Sequence, residues 1–233
     1  MKKIKKTKGF TLVELLIVIA IIGVLASLLM PAVTSALGQG DRITAKNNAR
    51  SIAQSWKTYS SSGARNMIAA KDVHDWAAIL AERADLNEAK IWLLPFDLAV
   101  AEKTAEGAPV PLTVANKVGN NWQLNPEFKA FPVSWEVANR AEPNAPSYSP
   151  IVWSRGLRAN GMWDMTGVFK DAGGIMAFAD SRVEFYPSML DDNGQGILRV
   201  YGGTERTSNI ARAVRNGSAN ILKSEIEVYD EEF

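Results

Sequence analysis

Three groups of residues in this chain have side chains that could do chemistry. The first is Glu14, alone in the apolar stretch GFTLVELLIVIAIIGVLASLLMPAV, residues 9–33. A carboxylate inside an apolar membrane helix costs roughly 2.5–3.5 kcal/mol on insertion scales, so it calls for a cationic partner. The second is His74, the single histidine, in the setting Asp72-Val73-His74-Asp75. With one histidine a His-rich metal site is excluded, and no nucleophile pattern accompanies His74, so it reads as a surface residue of a short helix. The third is Asp191-Asp192-Asn193-Gly194-Gln195, a cluster of oxygen ligands of the kind calcium prefers. Its spacing is not that of an EF-hand, and DDNG is equally good turn chemistry. Cysteine is absent, which removes disulfides, thiolate nucleophiles and Cys-ligated zinc. These residues point away from an enzyme and away from any cofactor other than a structural calcium at Asp191 and Asp192.

Charge narrows the partners. The formal net charge is +1, but Lys2, Lys3, Lys5, Lys6 and Lys8 precede Gly9, and without them 21 basic residues face 25 acidic ones. A mildly acidic body lacks the clustered basic face that nucleic acid requires, so no nucleic-acid partner is expected. With 233 residues, 47% hydrophobic and 22% charged, the chain suits one globular domain plus an appendage.

The appendage must position Glu14. No charged residue occurs from Leu15 to Gly40, and the apolar run approaches the ~20 residues that span a bilayer core. This predicts a transmembrane segment at about 15–36, in contact with membrane lipid. The preceding lysines place the amino terminus in the cytoplasm and the rest of the chain across the membrane. A cleavable signal peptide ending at Thr34-Ser35-Ala36 is the alternative; the length of the apolar run, Glu14 and the helical pattern beyond it all argue against that. Ala45, Ala49, Ile52, Ala53 and Trp56 then fall on one face of a helix, and Ser60-Ser61-Ser62-Gly63 ends it. One helix from about Phe10 to about Tyr59 would be ~75 Å long. Gly23 and Pro31 are its weak points, where a kink or local melting is expected.

The order of basic leader, Gly9, Phe10, Thr11-Leu12-Val13, Glu14, apolar run, Gly23 and Pro31 closely resembles the class III leader and helix of type IV pilins and type II secretion pseudopilins. The resemblance covers about residues 1–60. It implies cleavage between Gly9 and Phe10 by a prepilin peptidase and N-methylation of Phe10. It also implies a cation for Glu14: the new α-amino group of a neighbouring subunit, which makes Glu14 a subunit-docking residue.

Beyond residue 63, Val73, Trp76, Ala77, Ile79, Leu80 and Ala84 repeat at helical spacing behind a capping Asp72. NNWQL, PVSWEVA and PIVWSRGL read as short strands, and residues 173–187 as a hairpin turning at Asp180-Ser181. Gly173-Gly174, Phe178-Ala179-Asp180 and Val183 resemble the His-x9-Asp-Gly motif of one pilin-like subgroup, although Lys170 and Ser181 replace its histidine and glycine. Ser208 to Arg215 reads as a short helix, and Ile226/Val228 as a last strand. The seven tryptophans, scattered singly, read as core; exposed and coplanar, they would instead suggest a carbohydrate-binding module.

The sequence therefore predicts an α+β, pilin-like fold: a leader at 1–9, a long kinked helix at 10–62 packed on a small antiparallel sheet, and an exported head at 63–233. The expected function is a structural subunit of a type II secretion pseudopilus. A type IV pilus subunit serving adhesion, twitching or DNA uptake is the alternative within the family, and an exported or membrane-anchored binding module the alternative outside it. The resemblance implies prepilin peptidase, other pilin-like subunits in a homopolymer, and an inner-membrane assembly platform and ATPase as partners. It also implies a single-pass inner-membrane location before assembly in the periplasm or at the cell surface.

Overall fold

The structure, a computed structural model, describes residues 12–63 and 67–223, without the side chains of Ala26 and residues 29–37. The chain divides into two compact units, residues 1–41 and 42–233. Helix α1 (Leu12–Ser61) contributes to both. Its helical assignment is unbroken through Gly23 and Pro31, so the expected local melting does not occur. A proline deletes one backbone donor and a glycine lowers propensity at one position, which does not interrupt a helix of 50 residues. The helix ends where the serine run predicts: Ser60 and Ser61 hydroxyls return to the Lys57 carbonyl at 3.0 and 2.7 Å, and Ser62 to that of Tyr59 at 2.7 Å. These hydroxyls fold back onto the carbonyls of the last turns, where the Tyr59 carbonyl also accepts from the Ser62 amide at 3.2 Å.

In the second unit, α2 (Val73–Ala84) begins at the predicted cap, Asp72, whose Oδ1 accepts from the Asp75 amide at 2.8 Å. A third helix, α3 (Leu98–Ala105), follows, capped by Asp97 and not anticipated from the sequence. Strands β1 (Ala115–Val118) and β2 (Asn121–Leu124) form a separate hairpin, followed by the single-turn α4 (Pro126–Lys129). Strands β3 (Trp135–Ala138), β4 (Pro150–Ser154), β5 (Gly174–Phe178) and β6 (Val183–Tyr186) build the main sheet. A second small ladder, β7 (Leu198–Arg199) with β8 (Arg206–Thr207), leads to α5 (Ile210–Ala213), within the predicted Ser208–Arg215. The last described strand is β9 (Ile221–Leu222), which adds to the main sheet. The strand expected at Ile226/Val228 lies outside the described residues.

The main sheet is antiparallel, in the order β6-β5-β4-β3-β9. Pro150 opens β4, where a missing amide donor is tolerated, and a register shift follows before Val152. Strand β5 does not separate a wet face from a dry one, because Gly174–Phe178 is buried throughout, as are β3 and β4. At the edges, β6 is half exposed after Val183, and Ile221 of β9 is partly exposed. The apolar face predicted for the second half of α1 is fully used: Ala45, Ala49, Ile52, Ala53 and Trp56 are no more than 1% exposed and join one core with α2 and the sheet. Asn48 Nδ2 adds polar contacts to the Lys90 and Ile91 carbonyls, both at 3.3 Å. An N-terminal helix together with an antiparallel sheet makes the architecture α+β.

Candidate functional site

Glu14 lies in the first turn of α1, and Gly9 and Phe10 lie outside the described residues. Around Glu14 the helix is apolar on every side. From Leu12 to Leu25 the large apolar side chains are all exposed, from Val18 at 46% to Leu12 at 78%. A helix that is hydrophobic all round belongs inside an apolar environment. Among the described residues no helix is long and apolar enough to cross a membrane. The expected membrane segment at about 15–36 runs into side chains 29–37, which lie outside the description.

In the second unit, Asp191 Oδ1 accepts from the amides of Asn193 at 2.9 Å and Gln195 at 2.8 Å, and the backbone closes on itself between Asp191 and Gln195. The turn reading of DDNG thus accounts for the order of this loop. Asp192 is exposed, and among the described residues no three His, Cys, Asp or Glu side chains are grouped to hold a metal ion.

His74 corrects the sequence reading. It is fully buried, with Nε2 2.9 Å from the Phe131 carbonyl and its ring edge-on to Phe128. Its place on α2, beside buried Val73 and Trp76, turns the imidazole into the core. Trp56, Trp76, Trp92, Trp135, Trp153 and Trp163 are buried and Trp122 packs against them, so the tryptophans are core and form no sugar-stacking platform.

Two buried carboxylates, Glu136 and Asp97, escaped the sequence reading. Glu136, inside β3, is 4% exposed, and burial raises its pKa, opposed by Lys223, the Trp153 hydrogen bond and Arg155. Asp97 caps α3 and pairs with Arg155 at 2.5 Å, while Arg155 also donates to the Thr166 carbonyl at 2.9 Å. Glu136 alternates with apolar neighbours as any outward-facing strand residue would, so nothing in its local pattern signals burial. The segment after Arg155 turns at Gly156, with φ of +107°, where a Cβ would sit 2.4 Å from the Gly167 backbone.

Residues 4–30 match the family described as the prokaryotic N-terminal methylation motif. The chain carries a prepilin-type methylation motif. The matched span includes Gly9, Phe10, Glu14 and Gly23 and ends just before Pro31. The motif supports a type IV pilin-like chain, processed by prepilin peptidase and assembling with other pilin-like subunits. No curated protein and no solved structure matches the chain. Outside the motif, Lys170 and Ser181, which depart from the His-x9-Asp-Gly pattern, both adopt left-handed backbone, with φ of 55° and 65°. Ser181 thus occupies a conformation that glycine adopts without strain.

Proposed function

We infer that the chain is a non-catalytic structural subunit of a type II secretion pseudopilus. Prepilin peptidase cuts between Gly9 and Phe10, and Phe10 is N-methylated. The subunit is stored in the inner membrane by its apolar helix, with the head in the periplasm, until an assembly platform and ATPase extract it. Exposed apolar side chains then pass from lipid into the filament core, with a bend at Gly23 and Pro31 adjusting the helix. Glu14 takes the α-amino group of a neighbouring subunit as a counter-charge, as the resemblance to pilins implies; a cation beside a desolvated carboxylate lowers the cost of placing it there.

The reading rests on one observation: the methylation motif, residues 4–30, runs into a helix that starts at Leu12 and whose large apolar residues from Leu12 to Leu25 are exposed around a single carboxylate. The absence of cysteine favours the secretion pseudopilus, because many type IV pilins bound a loop with a disulfide. Mass spectrometry of the mature amino terminus from native membranes tests the pathway. A chain starting at methylated Phe10 supports it, and Gly9→Ala should retain the lysine leader; a start near Leu37 overturns it. Loss of protein secretion on deletion of the gene, with surface motility and DNA uptake unchanged, supports the pseudopilus; the reverse pattern assigns a type IV pilus.

A further inference from the structure

A cleft of about 370 Å³ borders the β6 edge of the sheet, lined by Arg182, Arg199 and Arg206 with Tyr148, Phe178 and Tyr186. Arg199 on β7 and Arg206 on β8 stand directly opposite in register. Like charges in that position destabilise a ladder. Among the described residues neither has a carboxylate within ion-pair distance. The adjacent Glu205 pairs with Arg212 at 3.1 Å, and Glu184 with Arg182 at 3.1 Å. Aromatic faces hold two of the three guanidiniums: Arg199 lies 5.4 Å from the Tyr148 ring centroid and Arg182 lies 4.1 Å from that of Phe178. Guanidiniums held in this way suit planar, bidentate capture of carboxylates.

The chain contains a matching ligand. Residues 224–233, SEIEVYDEEF, carry Glu225, Glu227, Asp230, Glu231 and Glu232 and no basic residue. They follow β9, at one end of the strand order, whereas the cleft borders β6, at the other. At about 4.8 Å per strand the two edges are roughly 19 Å apart. A segment that follows the β9 edge in sequence and a receptor at the β6 edge involve two different surfaces, so pairing between copies is a heterologous contact, which propagates into an open helical assembly where its rotation does not close a ring. We propose that the arginine cleft receives the acidic segment 224–233 of the next copy of this chain. The proposal rests on the reading of the chain as a polymerising subunit, and it adds a contact between heads to the one at Glu14.

Because the chain has no cysteine, introduced thiols report without background. Full-length Ser147→Cys and a differently tagged full-length Tyr229→Cys leave every charge in place, and they are co-expressed and oxidised in native membranes. The expected result is a mixed disulfide dimer several-fold more abundant than with Val118→Cys on the β1–β2 hairpin. It should fall in ~1 M salt, where the Debye length is about 3 Å. A dimer no stronger than that control overturns the proposal. So does closure of the Ser147→Cys/Tyr229→Cys double variant into a bridged monomer without mixed dimers. Charge exchange gives a second readout. Arg199→Glu with Arg206→Glu should lower polymer yield several-fold, and Glu231→Lys with Glu232→Lys should restore it; absence of restoration counts against the cleft. The amino terminus is read in the same samples. Failed crosslinking with methylated Phe10 removes only the docking contact, whereas an unprocessed terminus removes the pilin reading and the docking contact together.

Discussion

The indole Nε1 of Trp153 donates to Glu136 Oε2 at 2.7 Å, between residues that stand directly opposite on β4 and β3. The carboxyl is buried, on β3 between β4 and β9. Desolvation there raises its pKa above the ordinary 4.5, against the pull of Lys223, Trp153 and Arg155. The folded state therefore binds a proton more readily than the unfolded one. Stability from this group is greatest at low pH and declines as pH rises from about 4.5 through the raised folded value.

Glu136→Gln keeps an oxygen acceptor for Trp153 and removes the ionisation. Relative to wild type, the variant should gain stability between pH 5 and pH 8, measured by thermal unfolding of the full chain in detergent. A difference independent of pH would remove burial of an ionisable group as the cause. Glu136→Leu should cost about 1–3 kcal/mol, because it leaves the indole N–H without its acceptor.

Ser181 lies in the turn between β5 and β6 with φ of 65°, and its amide donates to the Phe178 carbonyl at 2.8 Å. Ser181→Gly should raise stability by roughly 0.5–1 kcal/mol, since glycine enters this region without the Cβ clash. Ser181→Val should lower stability, because branched side chains are outliers there. Equal melting temperatures for all three chains would show that the turn carries no strain.

Asp191→Ala removes an acceptor shared by two amides. The loss should be about 1–2 kcal/mol, with Asp191→Asn intermediate. A calcium chelator should leave the wild-type melting temperature unchanged, because the loop is closed by its own hydrogen bonds. A drop on chelation would instead make Asp191 and Asp192 calcium ligands.

Glu14→Ala should be cleaved after Gly9 like wild type and yet yield about tenfold less sedimentable polymer. Removing one partner of a desolvated ion pair costs roughly 3–5 kcal/mol. Normal polymer yield from this variant would end the docking role of Glu14.

Local rules decided much of this fold in advance. The apolar face from Ala45 to Trp56, the cap at Asp72, the serine stop after Tyr59 and the turn at Asp180-Ser181 depend on residues a few positions apart, and the structure forms each where those residues stand. The methylation motif is equally local, because a peptidase reads a contiguous leader.

Burial of polar groups was not legible in the same way. His74 reads as a surface residue and Glu136 as the outward half of an alternating strand, yet both are inside. Which face of a strand or short helix meets the core depends on partners far along the chain: Phe131 for His74, Trp153 for Glu136, and Arg155 for Asp97. The opposition of Arg199 to Arg206 likewise arises only when β7 pairs with β8. The sequence alone determined the leader, the long helix with its lone carboxylate, and the elements set by periodicity and capping, because each is encoded within a few turns of chain. The tertiary structure alone decided which charges are buried, which are paired and which face each other, because those depend on distances between residues that only folding brings together.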